Sequence, residues 1–312
     1  MMECDYEFGE PELEMLKEVA GLYAVPERAY NFRVNGKAVG RNSSANIDVD
    51  SREDGKGLKI TIKPGTKHES VHIPVIISKT GHKEDVFNDF YIGDDADVLV
   101  IAGCGIYNCG GQDSVHNGIH RFFVGKNAKV KYVEKHYGMG QARGGKVLNP
   151  TTEVFASEGS EVEMDLEQIK GVDSTVRVTK AELDKNAKLL VRERIMTHGR
   201  QTANSDIDIV LKGAGATCDV ISRAVAQDLS SQKFALNIIG EGKCRGHSEC
   251  DALIMDKAEV KAIPSLDARS VDAELIHEAA IGKIAGEQIA KLMTLGLTQA
   301  EAESKIINGF LK

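Results

Sequence analysis

The residues of this chain best suited to metal chemistry lie near its carboxyl end. Cys250 occurs in the run Gly246-His-Ser-Glu-Cys-Asp-Ala-Leu-Ile-Met255, and an adjacent His277 and Glu278 follow it. Thiolates are the preferred ligands of iron–sulfur clusters, and histidine can replace them, whereas a carboxylate is a harder and weaker ligand. A site that mixes the three would hold a cluster loosely, as a carrier that must release it requires.

Two further cysteines, Cys218 and Cys244, belong to the same part of the chain and are also candidate ligands. Residues about one coil apart in a stacked β-structure come close together across neighbouring strands. A two-fold dimer that placed this edge against itself would double the ligand set. Free cysteine is, however, among the most buried residue types. Residue types alone therefore leave Cys250 and Cys218 open between metal ligand and core residue.

A second group, Cys104, Cys109, His116 and His120, has a spacing roughly compatible with zinc. The alternative is that its cysteines lie in the core and its histidines in a surface loop. No P-loop and no H-E-x-x-H motif is present, and Gly213-Ala-Gly-Ala-Thr-Cys218 lacks the third glycine of a dinucleotide fingerprint. We therefore expect a protein without its own nucleotide site that is not an enzyme.

Composition excludes several classes of partner. The chain has 312 residues, a net charge of −8 and no basic run, so neither a nucleic-acid nor a membrane partner is expected. The N-terminus is acidic and lacks the basic and apolar regions of a signal peptide. The longest apolar runs, such as Val98-Leu-Val-Ile-Ala102, are too short to span a bilayer. A cytoplasmic protein with six reduced cysteines is predicted.

The elements that must position the candidate ligands are repetitive. A turn with a small central residue recurs at positions 96, 128, 160, 187 and 216, in steps of 27 to 32 residues, and the step shortens to 15 between 258 and 273. Short alternating segments such as Leu189-Leu-Val-Arg-Glu-Arg-Ile195 lie between the turns. Short strands at a regular period with small-residue corners predict a mainly β protein built as a parallel β-helix, or solenoid. A propeller needs a longer period and blade signatures that are absent here.

Helical patterns occur at both ends. Residues 11–22 have apolar positions at helical spacing. Residues 286–295 form a second amphipathic segment, and Thr298 with Glu301 forms the capping box of a third. The predicted division is an N-terminal helical segment (1–30), a β-helix core (31–284) and a C-terminal two-helix region (285–312). The helices are expected to cap the ends of the solenoid.

Several runs resemble a known family. They are Gly103-Cys-Gly-Ile-Tyr107, Lys126-Asn-Ala-Lys-Val-Lys-Tyr132, Cys250-Asp-Ala-Leu-Ile-Met-Asp256, Ile263-Pro-Ser-Leu266, Ile276-His-Glu-Ala-Ala-Ile-Gly-Lys-Ile284, Gly286-Glu-Gln288, Gly296-Leu-Thr-Gln-Ala-Glu-Ala302 and Asn308-Gly-Phe310. In this order they resemble the SufB/SufD family of iron–sulfur cluster assembly scaffolds of the SUF system. The resemblance covers roughly residues 85–312 and is strongest after residue 250.

The resemblance implies a right-handed parallel β-helix followed by a helical C-terminal region. It implies dimerisation through the β-helix edge, docking of a SufC-type ABC ATPase on the C-terminal helices, and delivery of the cluster to recipient apo iron–sulfur proteins. Cys250 and Glu278 stand where SufB carries an essential cysteine and glutamate, and His277 stands where SufD carries an essential histidine. The chain thus combines features of both paralogues, which fits a homodimer.

Residues 151–217 contain no cysteine, whereas SufB carries a cysteine there that is thought to receive sulfur. Cys218 or free sulfide are candidates for that role. The predicted function is a scaffold for a transient iron–sulfur cluster held by Cys250, His277 and Glu278. The alternatives are an adaptor that regulates the ATPase without building clusters, and a carbohydrate-binding β-helix, which the lack of Trp disfavours.

Overall fold

The computed structural model describes residues 6–22, 26–141 and 143–312. It is a β-solenoid of about eight turns with one helix near its N-terminus and two at its C-terminus. The prediction of a mainly β solenoid with this arrangement of helices is confirmed. The N-terminal residues around Cys4 lie outside the described part of the chain.

The strands form two sheets that face each other across the solenoid. In spatial order, the first sheet contains β2 (Lys37–Asn42), β1 (Ala29–Val34), β5 (Lys67–Ile77), β7 (Asp97–Tyr107), β9 (Lys129–Met139), β12 (Glu161–Lys170), β14 (Lys188–Thr197), β16 (Thr217–Ala226), β18 (Cys244–Ile254) and β20 (Ala273–Gly282). The second contains β19 (Glu259–Ala268), β17 (Ser231–Gly240), β15 (Thr202–Leu211), β13 (Ser174–Leu183), β10 (Lys146–Leu148) with β11 (Thr151–Ala156), β8 (Ser114–Val124), β6 (Lys83–Ile92), β4 (Gly57–Ile62) and β3 (Ile47–Ser51). The helices are α1 (Glu10–Ala20), α2 (Gly286–Thr294) and α3 (Gln299–Phe310).

From β4 onward each coil contributes one strand to each sheet, with β10 and β11 together occupying one strand position, and successive coils pair in parallel. In the first sheet Val130 pairs with Val162 and Val162 with Leu189, so the coil shortens from 32 to 27 residues there. The two-strand coil also explains the shortened step near the C-terminus. Ala258 precedes β19 of the second sheet and Ala273 begins β20 of the first, so these two turns are half a coil apart.

The recurring turns combine a left-handed residue with a buried small one. Asn127 and Asn186 have φ angles of 53° and 57°, a conformation that asparagine, aspartate and glycine tolerate best. The following residues, Ala128 and Ala187, are fully buried in the main core. The corner therefore needs both a residue that accepts positive φ and a side chain small enough to fit inside the coil.

The helices do not cap the ends of the solenoid, so that expectation is wrong. α1 packs on the outer face of the first sheet against β5, β7 and β9, where Gly103 and Gly105 lack the Cβ atoms that would collide with Val19 and Met15. The N-terminal end is instead formed by the antiparallel strands β2 and β3. Arg41 of β2 donates a 2.9 Å hydrogen bond from Nη1 to Oγ of Ser51 in β3, so a charged side chain spans this end of the solenoid.

The C-terminal end of the solenoid is open and apolar. α3 packs on the outside of the first sheet, where Ile307 and Leu311 meet Val225 and Leu253. No further coil in the described part of the chain stacks on the last one, β19 and β20, and most of its side chains are exposed. Ile281, in register with the buried Ala252 of the preceding coil, is 42% exposed. An unpaired edge of this length is a surface that natural proteins normally cover.

Candidate metal centre

The candidate ligands lie on three neighbouring parallel strands, β16, β18 and β20. Side chains on a strand alternate between the two faces of its sheet. In β18, Cys244, Ser248 and Cys250 are buried and point into the solenoid. The adjacent residues His277 and Glu278 of β20 must therefore point to opposite faces. The alternation decides which candidates can meet one another.

Cys250 is an interior residue of the penultimate coil. It is 1% exposed and lies between Ser222 and Ala279 on the neighbouring strands. Burial, followed by the charges of Glu193 and Asp251, raises the pKa of its thiol to about 12. The thiol is thus protonated at neutral pH, and a metal must displace that proton because the thiolate is the ligand form.

His277 shares the inward face of Cys250 on the next strand. Its Nδ1 lies 2.7 Å from the hydroxyl oxygen of Ser248, which is fully buried. Its Nε2 is shielded from solvent and has no hydrogen-bond partner among the residues that the structure describes. Burial and the nearby His247 lower the pKa of His277, so the ring is neutral at neutral pH. A neutral imidazole held through one nitrogen and free at the other is suited to bind a metal.

Glu278 lies on the opposite face of the sheet. Its Oε2 is 3.5 Å from His247 Nε2, and the Nδ1 of that ring lies 2.8 Å from Asp219 Oδ1. Asp219 and then Glu278 are the partners that raise the pKa of His247. The three side chains form an exposed ladder on the outside of the solenoid. Within one chain, Glu278 therefore does not share a face with Cys250 and His277.

The two remaining candidate cysteines are also core residues. Cys218 and Cys244 are buried, and both belong to the main hydrophobic core. Burial raises the pKa of the Cys218 thiol to about 12 and also raises that of Cys244. The five cysteines in the described part of the chain are all free. No group of three or more His, Cys, Asp and Glu side chains close enough to hold a metal occurs among the described residues. One chain thus presents an incomplete ligand set.

The second group identified by spacing does not form one site. Cys104, His116 and His120 are buried, whereas Cys109 is exposed in the loop after β7. Cys104 instead lies beside His136, its register partner on β9. The zinc interpretation needed Cys109 and the two histidines together, and the structure separates them. The three buried members form a different cluster inside the solenoid.

A network of buried ionisable side chains inside the solenoid was not predicted from the sequence. Arg177 is fully enclosed and forms ion pairs with Glu134 and with Glu193, the latter at 3.4 Å. Glu193 also accepts hydrogen bonds from Ser205 at 2.8 Å and Ser222 at 3.3 Å. Because Ser222 is the register partner of Cys250, this network of polar side chains extends to the candidate site.

The sequence did contain a signal for this network. Glu193 lies at one of the alternate positions of its strand that also include Leu189, Val191 and Ile195, all of which are buried. A charged residue among the apolar positions of a strand indicates a buried charge that needs a partner. The partner, Arg177, lies in the other sheet, and local alternation gives no information about contacts between sheets.

No helix in the described ranges is long and apolar enough to cross a membrane. A family model described as the SufBD core domain of SUF-system FeS cluster assembly matches residues 88–310. The chain is also similar to proteins named iron–sulfur cluster assembly SufBD family protein. One from Archaeoglobus fulgidus is 32% identical over 83% of this chain and 69% of its own length. One from Methanocaldococcus jannaschii is 29% identical over 83% of this chain and 82% of its own length.

A relative with the same description from Pyrococcus horikoshii is 26% identical over 88% of this chain and 84% of its own length. The matched segment contains the polar interior, the strands that carry Cys250 and His277, and nearly all of the C-terminal helices. The family model covers well over half of the chain. This chain therefore belongs to the SufBD family of iron–sulfur cluster assembly proteins.

Proposed function

We propose that this protein is a scaffold on which an iron–sulfur cluster is assembled transiently at the interface of a homodimer. The observation that carries the proposal is the placement of Cys250 and His277. Both face the interior beside the open end of the solenoid, and His277 Nε2 has no partner. In this proposal the cluster is cargo, which is passed on to recipient apo iron–sulfur proteins.

The incomplete ligand set supports a dimeric site. Cys250 and His277 are two ligands, whereas clusters are generally held by four. A two-fold contact through the open end would bring a second pair to the same place. It would also cover the apolar side chains of the last coil. In the proposal Glu278 acts from the outer face through His247, or becomes a ligand after a rearrangement of the last coil.

The C-terminal helices are the proposed contact for a SufC-type ATPase. α2 has no buried residue, and Met293 and Leu295 at its end are exposed. An amphipathic helix with an exposed apolar face is suited to docking on a partner. α3 joins this helix to the first sheet through Ile307 and Leu311, so a force on α2 would reach the strands of the candidate site. We propose that the chain has no nucleotide site of its own and is not an enzyme.

If the homodimer forms through the open end, one charge introduced there is expected to prevent dimerisation. Ile281→Glu would place a carboxylate among the apolar side chains of the last coil, and an unpaired buried charge costs about 3–5 kcal/mol. The variant is expected to be monomeric by light scattering at concentrations where the unaltered protein is a dimer. Val176→Glu is the matched control, because Val176 is also 42% exposed but lies on β13, in the middle of the second sheet and away from the last coil. A dimeric Ile281→Glu variant would contradict an interface at this end.

The adaptor function is the alternative, and the high thiol pKa of Cys250 favours it. Anaerobic incubation with ferrous iron and sulfide separates the two functions. The scaffold is expected to acquire visible absorbance and to transfer the cluster to an apo-ferredoxin. An adaptor would bind the SufC-type ATPase but acquire no absorbance under any reducing condition. That second result would rule out assembly on this chain.

A further inference from the structure

The N-terminal end of the solenoid contains a cavity remote from the candidate metal centre. Its volume is about 200 Å³, and its walls come from the hairpin of β1 and β2, the hairpin of β3 and β4, and the strands β5 and β6. Two arginines, Arg33 and Arg41, line it, and no aspartate or glutamate is found among its described lining residues. We propose that this cavity binds a small oxyanion, either a short carboxylate or an inorganic oxyanion such as phosphate.

Arg41 is a partly buried cation whose hydrogen-bond partners are neutral. Its Nε donates a 2.9 Å hydrogen bond to Oδ1 of Asn31, and its Nη1 donates one of 2.9 Å to Oγ of Ser51. Its Nη2 has no hydrogen-bond partner in the described part of the chain. Burial lowers the pKa of Arg41, and the charge of Asp50, which forms no ion pair with it, opposes that effect. A guanidinium taken partly out of water without a paired carboxylate is stabilised by an anion that reaches it.

Two further side chains supply hydrogen-bond donors to the same space. Arg33 donates from Nε to Oε2 of Glu84 at 2.8 Å, and its terminal nitrogens form no hydrogen bond with the described residues. Glu84 balances the charge of Arg33, so Arg41 supplies the unbalanced positive charge. Asn31 is 4% exposed and its Oδ1 accepts from Arg41, which leaves its amide nitrogen as a donor. A lining whose free polar groups are donors matches a ligand whose oxygens are acceptors.

The size of the cavity limits the ligand to a small molecule. Drug-sized ligands occupy pockets of roughly 300–1,000 Å³, so a cavity of about 200 Å³ is too small for a nucleotide or a peptide. Three glycines of the lining contribute no side chains that would fill it, namely Gly36, Gly55 and Gly57. The strands on the side of the next coil contribute apolar side chains, namely Ile73, Val75 and Val86. Short carboxylates with an apolar tail and inorganic oxyanions therefore both fit.

This cavity lies at the opposite end of the solenoid from the candidate metal centre. It is formed by β1 to β6, whereas Cys250 and His277 lie on β18 and β20. Oxyanion binding here requires neither a cluster nor a second copy of the chain. The proposal is therefore tested independently of the scaffold function.

Isothermal titration calorimetry tests the proposal with phosphate, sulfate, acetate and butyrate as separate probes at equal ionic strength in chloride buffer. At least one probe is expected to bind at one site per chain. Arg41→Gln is expected to weaken that binding by about tenfold or more, because a neutral amide cannot replace charge-assisted hydrogen bonds. Arg41→Lys keeps the charge but loses the planar fork, so an intermediate loss is expected.

The matched control is Arg28→Gln. Arg28 is exposed near the same end, donates a 2.8 Å hydrogen bond to the backbone oxygen of His68, and does not line the cavity. This variant is expected to bind like the unaltered protein. Binding of phosphate or sulfate alone would identify an inorganic oxyanion, and binding of acetate or butyrate alone a carboxylate. The proposal is overturned if none of the four probes binds, or if Arg28→Gln and Arg41→Gln weaken binding equally.

Arginine modification gives a second test that needs no substitution. The unaltered protein is treated with phenylglyoxal, and the modified residues are mapped by mass spectrometry. The bound oxyanion is expected to slow the modification of Arg41 severalfold relative to chloride and to leave that of Arg28 unchanged. Equal protection of the two residues would show general screening of surface charge and would contradict a site in the cavity. This comparison decides the question even where Arg41→Gln fails to fold.

Discussion

Replacing Cys250 by alanine is expected to remove most of the iron–sulfur absorbance that the protein acquires on anaerobic reconstitution. Cys250 lies on the inward face two residues from Ser248, whose hydroxyl contacts His277, and His277 alone cannot hold iron in a cluster. Loss of the hydrogen-bond partners of a metal ligand typically weakens metal binding by about tenfold or more. Loss of the ligand itself is expected to weaken it at least as much. Absorbance and bound iron per folded chain are the measurements.

The control for this variant is Cys109→Ser, because Cys109 is exposed in a loop far along the chain from the candidate site. It is expected to reconstitute like the unaltered protein. Since the Cys250 thiol must lose its proton to bind iron, loading of the unaltered protein is also expected to fall as the pH is lowered. Equal absorbance in Cys250→Ala and the unaltered protein would exclude Cys250 as the principal ligand.

Replacing Arg177 by methionine is expected to cause the largest loss of stability of any single substitution in the solenoid interior. The guanidinium lies between Glu134 and Glu193, and all three side chains are fully enclosed. Its removal leaves Glu193 buried without a cation and leaves Glu134 with only the His136 ring, 3.7 Å away. Breaking a buried ion pair in this way costs about 3–5 kcal/mol of unfolding free energy. Urea denaturation followed by circular dichroism measures the loss.

Two further variants test the cause of that loss. Adding Glu134→Gln and Glu193→Gln to Arg177→Met removes both unpaired charges, so much of the lost stability is expected to return. Arg192→Met is the matched control, because Arg192 forms a 2.7 Å ion pair with Glu163 in a largely exposed position. Exposed pairs contribute about 1 kcal/mol or less. Equal losses in Arg177→Met and Arg192→Met would show that burial of the charge is not what matters.

The sequence predicted the solenoid because its physical cause is local. Many corners place a left-handed residue before a small one, as at Asn127-Ala128 and Asn186-Ala187, and this pattern is visible in the residues themselves. The position of α1 was not predictable in the same way. Its docking depends on the bare backbone at Gly103 and Gly105, which lie over 80 residues away in the chain. The division of the chain at residues 30 and 284 stays a prediction.

The candidate site was predicted only in part. Cys250 and Ala252 face the interior, but Leu253 and Met255 are also covered, because α3 packs on the outer face of β18. Two covered faces make the alternation of this run ambiguous in sequence. His277 and Glu278 are a different case. Neighbours on one strand face opposite ways, so the sequence already contained the reason why Glu278 lies outside. Their roles as ligands stay predictions.

The two ends of the solenoid differ in chemistry, and this difference limits how copies can associate. The N-terminal end is spanned by the charged side chain of Arg41 between β2 and β3, whereas the last coil presents apolar side chains such as Ile281. An apolar end gains nothing by stacking on a polar one, so head-to-tail growth into a filament is disfavoured. In the proposed homodimer, contact between two C-terminal ends uses the apolar end of each copy. The proposed assembly therefore closes as a pair and does not grow into a polymer.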